Sequence, residues 1–344
     1  MSDSHLSKLR DLLRSDPRVA TSRPVKLANI LGAFVSANED ASRSANFASQ
    51  QPDDLDEVVE LISNPTSMAS DEIALRVLKT LKILSRKFEN RVRLGEQIVP
   101  DLVRVLSETE RSSAVLGEGA NVVLNVCYER ENVQRIISAG GVPPLIALLS
   151  SDELDLQANA AGAIQSICFQ SEGRSYVREM GAIPAVLPLL SSPSLKVQTR
   201  AVGAVHNISS EPEAIRLIRR LEGIAPLIVL LRTPSAAVCG SAAGALQNLS
   251  RESSARKEIR ELGAVVPLTD LLFGDDVQSQ VCAAGAILNL LGPELGPETA
   301  DNAQRQGFKK LLSVALSIGM IQGPLRLQQE EMLAESKQQQ PPQT

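Results

Sequence analysis

The most regularly spaced polar side chains in this sequence are amides. Asn125, Asn207, Asn248 and Asn289 fall in one series with a step of 41 residues, in which Ser166 fills the remaining place. A carboxamide offers a hydrogen-bond donor and an acceptor together, so it can bond to the C=O and N–H of a peptide backbone whatever side chain the peptide carries. We call this series the Asn column; it predicts a hydrogen-bonding role that is repeated along the chain.

Side chains that could perform catalysis are scarce and far apart. A catalytic site with a serine or cysteine nucleophile needs a histidine beside that nucleophile. The two histidines are His5, near the start of the chain, and His206, which has no cysteine at helical spacing. The cysteines are too few and too widely spaced for a disulfide framework or a paired-cysteine metal site: Cys127, Cys168, Cys239 and Cys282. We therefore expect no enzyme activity, no metal site and no cofactor, and we expect buried, reduced cysteines.

Composition restricts the class of partner and the compartment. The formal net charge is −5 and the pI is about 5.4, which gives no electrostatic footprint for nucleic acid or anionic lipid. No apolar run approaches the length of a membrane span, and the first residues lack a signal sequence. We expect a soluble cytoplasmic protein without membrane insertion, with nuclear, cytoskeletal or ciliary association left open.

The step of 41 residues predicts stacked copies of one helical unit. In the regular copies a short first helix ends at a glycine, where the chain can turn sharply because glycine accepts a positive φ: Gly140, Gly181, Gly223 and Gly263. A second helix opens with a proline, and the third and longest helix carries the Asn column. Glycine inside a helix costs about 1 kcal/mol relative to alanine. A neighbouring helix or a ligand must therefore come close to the glycines that stand four residues before the column: Gly162, Gly203, Gly244 and Gly285.

The copies become more regular along the chain. We expect a degenerate capping repeat at 1–43, divergent repeats at 44–130 and regular repeats at 131–293. Helices at 294–327 are expected to cap the other end, because a terminal repeat has one face without a neighbour. The Gln- and Pro-rich tail at 328–344 has too little apolar material to fold and is predicted to be disordered.

Two stretches carry a family resemblance: Ala139–Leu149, which reads AGGVPPLIALL, and Gly244–Ser250, which reads GALQNLS. With three helices in each copy they resemble the armadillo repeat; HEAT repeats lack the separate first helix and the Asn. The resemblance implies an all-α, right-handed α-solenoid with three helices per repeat of 41–44 residues, whose third helices line a concave groove. It also implies that the Asn column faces this groove and holds the backbone of an extended peptide.

The candidate groove residues are the column and polar positions on the same helix face. Arg200 and Asn159 each precede their column residue by two helical turns, and Arg251 follows its column residue by about one turn. Two alternatives stay open: the amides could tie each third helix to the neighbouring repeat, and the charges could simply be solvated. The predicted groove residues are Asn121, Asn125, Asn159, Ser166, Arg200, Asn207, Asn248, Arg251 and Asn289.

One departure from the best-known armadillo peptide carriers narrows the ligand. Armadillo proteins of the importin-α type have a Trp four residues before each Asn of the column, and these rings form slots for lysine and arginine side chains. Here that place holds Asn121 or a glycine, and the chain has no Trp. We therefore expect a groove that suits a partner helix or a globular edge rather than an importin-type basic peptide.

The function expected from these features is that of a non-catalytic scaffold or adaptor that binds a protein partner in the groove. Two alternatives rest on analogy of fold. One is an exchange-factor-like regulator of a small GTPase or an Hsp70 chaperone, and the other is a structural subunit of a large assembly such as the ciliary axoneme. The sequence leaves open the identity of the partner, the oligomeric state, and whether either end of the chain fills the groove.

Overall fold

The computed structural model describes residues 3–16, 18–40 and 55–291. Within these ranges the chain forms helices and no strand, and no helix there is long and apolar enough to cross a membrane. The predicted capping helices at 294–327 and the predicted tail at 328–344 lie outside the described residues. The chain divides into two compact units, unit 1 with residues 1–208 and unit 2 with residues 209–344.

Unit 1 begins with the three helices of the predicted N-terminal cap and continues with repeats of shorter and longer helices. In the fourth of these repeats a 3₁₀ helix, Leu187–Ser191, completes the second helix. The α-helices of unit 1 are α1 Asp3–Ser15, α2 Val19–Ser22, α3 Pro24–Asn38, α4 Asp56–Ser63, α5 Pro65–Met68, α6 Asp71–Leu84, α7 Phe88–Ser107, α8 Ser113–Val126, α9 Arg130–Ser138, α10 Val142–Leu148, α11 Leu154–Ile167, α12 Ser171–Glu179, α13 Ala182–Val186 and α14 Leu195–Ile208.

Unit 2 repeats the pattern of a short, a short and a long helix. Its described helices are α15 Pro212–Arg220, α16 Ile224–Leu230, α17 Ala236–Leu249, α18 Ser253–Glu261, α19 Val265–Leu272 and α20 Val277–Leu291.

The long helices that carry the Asn column are the third helices of their repeats: α8, α11 and α14 in unit 1, with α6 before them, and α17 and α20 in unit 2. In unit 1, α11 packs between α8 and α14, while α6 packs against α3 and α8. In unit 2, α17 packs against α20. Small side chains at the contacts, such as Ala160 and Ala201, are fully buried. The third helices therefore lie side by side within each unit, which places their outer faces next to one another.

The bend between the first and second helices follows the glycine prediction in three repeats. Gly140, Gly181 and Gly263 have φ values of 74°, 80° and 76°. The prediction is wrong at Gly223, whose φ is −71°. There the preceding residue, Glu222, takes the left-handed conformation with φ 58°, a conformation that costs a residue with a Cβ about 1–2 kcal/mol.

The second divergent repeat has no bend between its first and second helices. Instead, α7 runs unbroken from Phe88 to Ser107 with Pro100 inside it. In the regular repeats a left-handed glycine stands three or four residues before the corresponding proline, as with Gly140 and Pro143 or Gly263 and Pro267. Gln97 and Glu96 stand at those two places here. Because no glycine offers a left-handed bend, the chain continues as one helix.

Candidate functional site: the third-helix surface

The Asn column lies at the carboxyl ends of the third helices. Asn125, Ser166, Asn207 and Asn248 are each the next-to-last residue of their helix, and Asn289 lies two residues before the end of α20. A helix leaves its last carbonyl groups without partners inside the helix. The column is therefore placed where the neighbouring third helix presents unused backbone acceptors.

In unit 1 the column amides donate hydrogen bonds to the preceding repeat. Asn125 Nδ2 donates to the backbone O of Lys82 at 3.1 Å and to Oγ of Ser85 at 3.0 Å. Asn207 Nδ2 donates to the backbone O of Gln165 at 2.9 Å. Both carbonyl acceptors belong to the last turn of the neighbouring third helix. The amides thus tie adjacent repeats together, which is one of the two roles considered from the sequence.

A second asparagine replaces the tie where the column has a serine. Ser166 is buried. Two turns earlier on the same helix, Asn159 Nδ2 donates to the backbone O of Gly117 at 3.2 Å. Because Gly117 lies on α8, this bond joins α11 to α8. Each packed pair of third helices from α6 to α14 is therefore joined by an amide-to-carbonyl hydrogen bond.

Unit 2 repeats this arrangement. Asn289 Nδ2 donates to the backbone O of Gln247 at 3.2 Å and to Oγ of Ser250 at 3.0 Å. Asn248 is buried, and its Nδ2 donates to Oγ of Ser209 at 3.1 Å. The pairing of a column amide with a helix-end carbonyl and a serine hydroxyl is therefore the same as that of Asn125 in unit 1.

The ties use up most of the donor capacity of the column, but not all of it. A carboxamide nitrogen has two protons, and Asn125 and Asn289 each donate to two acceptors. Asn207 is half-buried and donates one hydrogen bond among the described residues. Asn207 therefore keeps one N–H and its Oδ1 without a hydrogen-bond partner among the described residues.

The other predicted site residues have different surroundings. Asn121 Nδ2 donates at 3.3 Å to Oε2 of Glu118, one turn earlier on its own helix. Arg251 is exposed. Arg200 is half-buried and its side chain forms no ion pair or hydrogen bond with the described residues.

Neighbouring side chains fill the space beside the third-helix glycines of unit 1. A Cβ placed on Gly162 would lie 2.6 Å from Cδ1 of Leu124 and 3.3 Å from Cδ of Arg200. A Cβ on Gly203 would overlap the amide of Gln165. Of the two reasons considered for these glycines, close approach of a neighbouring helix is the one that the structure shows.

Burial and hydrogen bonding shift the pKa values of several groups on and beside the third helices. Burial lowers the pKa of His206, which favours the neutral ring, and burial raises the pKa of the Cys127 thiol. Hydrogen bonds from Arg111 and Ser112 lower the pKa of Asp71 to about 2. The four cysteines are buried, and none of them is in a disulfide. Within residues 3–16, 18–40 and 55–291, no cluster of three acidic, histidine or cysteine side chains could hold a metal ion.

Sequence reasoning did not single out the aromatic side chains at the ends of the third helices. Tyr128 and Phe169 follow their column residues by three positions and are 51% and 65% exposed. The chain has two Tyr and six Phe; Phe88 and Phe273 are exposed as well, so the equivalent placing of Tyr128 and Phe169, rather than exposure alone, sets these two rings apart. The signal was present in the sequence, because the two rings are separated by the same step of 41 residues.

Sequence reasoning also missed a second set of bonds at the same helix ends. The side chain of Asn132 is fully buried and donates to the backbone O of Val126 at 3.0 Å. In the next repeat Arg174 Nη1 donates to the backbone O of Cys168 at 3.2 Å. Polar side chains of the following first helix thus cap the third helices, and these positions are structural rather than candidates for ligand contact.

Comparison with known proteins agrees with this arrangement. The Armadillo/beta-catenin-like repeat matches three consecutive segments, residues 129–169, 170–210 and 211–251. An engineered protein of known structure is 30% identical, with a TM-score of 0.64, over 68% of this chain and 96% of its own. A designed armadillo repeat protein is 25% identical, with a TM-score of 0.63, over 68% of this chain and 98% of its own.

Another designed armadillo repeat protein was solved in complex with the peptide (KR)4; it is 25% identical, with a TM-score of 0.60, and the match covers 68% of this chain and 98% of the designed one. No curated protein matches the chain. The fold and its helix ties define an all-α repeat protein. The chain belongs to the armadillo repeat family, which confirms the predicted fold class.

Proposed function

We propose that this protein is a non-catalytic scaffold or adaptor that binds a protein partner on its third helices. The proposal rests on polar groups of α14 that have no hydrogen-bond or ion-pair partner among the described residues. Asn207 keeps a donor and an acceptor beyond its tie, and Arg200, two turns earlier, has no partner among the described residues. Two such groups on one face of the same helix suit hydrogen bonding to a partner backbone and to its side chains.

Exposed aromatic rings at the ends of the third helices also support a protein-binding surface there. Tyr128 and Phe169 are exposed at equivalent places in neighbouring repeats, and aromatic side chains are enriched at protein interfaces and among their hot spots. A designed armadillo repeat protein that resembles this chain was solved with a bound peptide, which supports a protein ligand in general. Nothing in the described residues favours a nucleotide-exchange regulator or an axonemal subunit.

A cytoplasmic location is part of this proposal. It is supported by the four cysteines, none of which is in a disulfide, because structural cysteines in oxidising compartments are usually paired.

The proposal is tested with the full chain and a partner that it retains from cell extract. The purified partner is titrated against Tyr128→Ser, Phe169→Ser and Asn207→Ala, with Phe273→Ser as the control. Phe273 is 59% exposed and follows α19, a second helix. Its substitution therefore removes an exposed ring of the same kind at a place away from the third helices. We expect Phe169→Ser to raise the Kd by about tenfold or more, as for a hot-spot ring, and Phe273→Ser to leave it unchanged. A triple variant that binds every retained partner with the Kd of the unaltered chain would refute the proposal.

A further inference from the structure

The charged side chains on the third helices of unit 1 do not balance. These four helices carry four carboxylates and five lysine or arginine side chains. All four carboxylates are in ion pairs: Asp71 with Arg111, Glu72 with Arg76, Glu118 with Lys82 and Asp155 with Lys196. Lys79 and Arg200 have neither an ion pair nor a side-chain hydrogen bond with the described residues. These helices therefore carry an excess of positive charge in a chain whose formal net charge is −5.

Arg200 is positioned for a ligand rather than left in bulk water. It is half-buried, and its stem lies across Gly162 of the neighbouring helix, with Cδ and Nε 3.3 and 3.4 Å from where a Cβ would stand. Packing against Gly162 restrains the stem, so less side-chain entropy is lost when the guanidinium group binds. A planar guanidinium fork matches a carboxylate with two parallel hydrogen bonds.

We propose that the third-helix surface of unit 1 binds an acidic, extended protein segment, with Lys79 and Arg200 as its carboxylate-binding cations. This inference rests on the proposed function and narrows the partner from any protein to an acidic one. Lys79 lies on α6 and Arg200 on α14, three helix steps apart. At about 8–10 Å per step and about 3.3 Å per extended residue, carboxylates about eight residues apart would reach both cations. The unused N–H and Oδ1 of Asn207 would then bind the backbone of the segment.

A basic ligand is disfavoured by the same charges. The designed armadillo repeat protein above was solved with the peptide (KR)4. On unit 1 such a peptide would face two unpaired cations and would find every third-helix carboxylate already paired. The charge pattern therefore favours an acidic segment, since like charges across an interface oppose association.

The test is a selection from a phage-displayed library of random peptides of about ten residues, the length that spans the four helices. The full chain is compared with the double variant Lys79→Glu, Arg200→Glu. The control is Arg220→Glu, because Arg220 is exposed on α15, a first helix, and makes no ion pair with the described residues. Circular dichroism checks that each variant is folded. The best peptide is then measured by fluorescence polarisation, beside its Glu-to-Gln counterpart and a single-stranded DNA of matching length.

We expect the full chain and the control to enrich peptides rich in Asp and Glu. The double variant should bind the best peptide at least about tenfold more weakly, and rising salt should weaken binding to the full chain. Enrichment of neutral or basic peptides whose binding depends on Phe169 would overturn the acidic ligand and leave the proposed function standing. No enrichment at all, acidic enrichment that the double variant keeps, or tighter binding of the DNA would each also overturn the inference.

Discussion

The tie made by Asn125 gives a sharp test of how these repeats hold together. Asn125→Ala removes two hydrogen bonds: the backbone O of Lys82 keeps only the donor Oγ of Ser85, and the buried Oγ of Ser85 loses the proton that it accepts from Asn125. Each intramolecular hydrogen bond contributes about 0.5–1.5 kcal/mol net, so the variant should lose about 1–3 kcal/mol of unfolding free energy. A loss of 2 kcal/mol would lower the Tm by about 4–8 °C in a domain of this size.

The matched control lies on the same helix. Asn121 has the same side chain, but it donates at 3.3 Å to Glu118 of its own helix, and Glu118 keeps its ion pair with Lys82. Asn121→Ala should therefore cost about 0.5 kcal/mol or less, as for a surface substitution. Both variants are compared with the unaltered chain by urea denaturation followed by circular dichroism.

A double-mutant cycle isolates the bond itself. Ser85→Ala is combined with Asn125→Ala, and we expect a coupling energy of about 0.5 kcal/mol or more, as for residues in direct contact. Equal destabilisation by Asn125→Ala and Asn121→Ala, together with zero coupling between Asn125 and Ser85, would show that the column amide does not tie the repeats.

Three further predictions concern single positions. Gly162→Ala should cost up to about 2 kcal/mol in urea denaturation: its Cβ would lie 2.6 Å from Leu124 Cδ1 and force repacking at about 1–3 kcal/mol, against a gain of about 1 kcal/mol from alanine in a helix. Glu222→Gly should raise the Tm through a gain of up to about 1 kcal/mol, because glycine accepts the left-handed φ of 58° without strain. Asp71 has a folded pKa lowered from 3.8 to about 2, so its stabilisation is present above pH 4 and lost as the pH falls toward 2. Asp71→Asn should lose about 1 kcal/mol or less at pH 7, because the side chain is 40% exposed and its ion pair is screened, and unfolding should show a weaker pH dependence between pH 4 and 2.

The fold could be predicted from the sequence where one residue type decides the local backbone. Gly140, Gly181 and Gly263 mark left-handed bends because glycine alone takes that conformation without strain. Prediction failed at Gly223, where Glu222 accepts the strain instead. Because position 97 holds Gln and not Gly, the first and second helices of that repeat merge into α7. Aligning the bend residues of all repeats would have been needed to predict this.

The candidate site was less predictable, because its chemistry depends on which partner each side chain selects. The spacing of 41 residues placed Asn125 and Asn207 on equivalent turns. It could not show whether these amides bond to the neighbouring helix or to a ligand, because both roles place the amide on the same face of the helix. The sequence likewise could not show that Arg200 lacks an ion-pair partner among the described residues. Lys196, four residues before it, pairs with Asp155 at 2.6 Å, and only the distances between helices separate a paired cation from an unpaired one.

The replacement of the column tie by Asn159 shows what the regular spacing means. Asn159 reaches the backbone O of Gly117 from two turns before Ser166, so packing needs an amide that reaches a carbonyl of the previous third helix, not an amide at one fixed turn. Stacking geometry is therefore a sufficient cause of the column, without any ligand. A partner must then be distinguished by groups that stacking leaves unused, and in unit 1 these are the second N–H of Asn207 and the charges of Lys79 and Arg200. The hydrogen bonds of the column hold the repeats together, and the polar groups left outside those bonds are where one armadillo surface can differ from another.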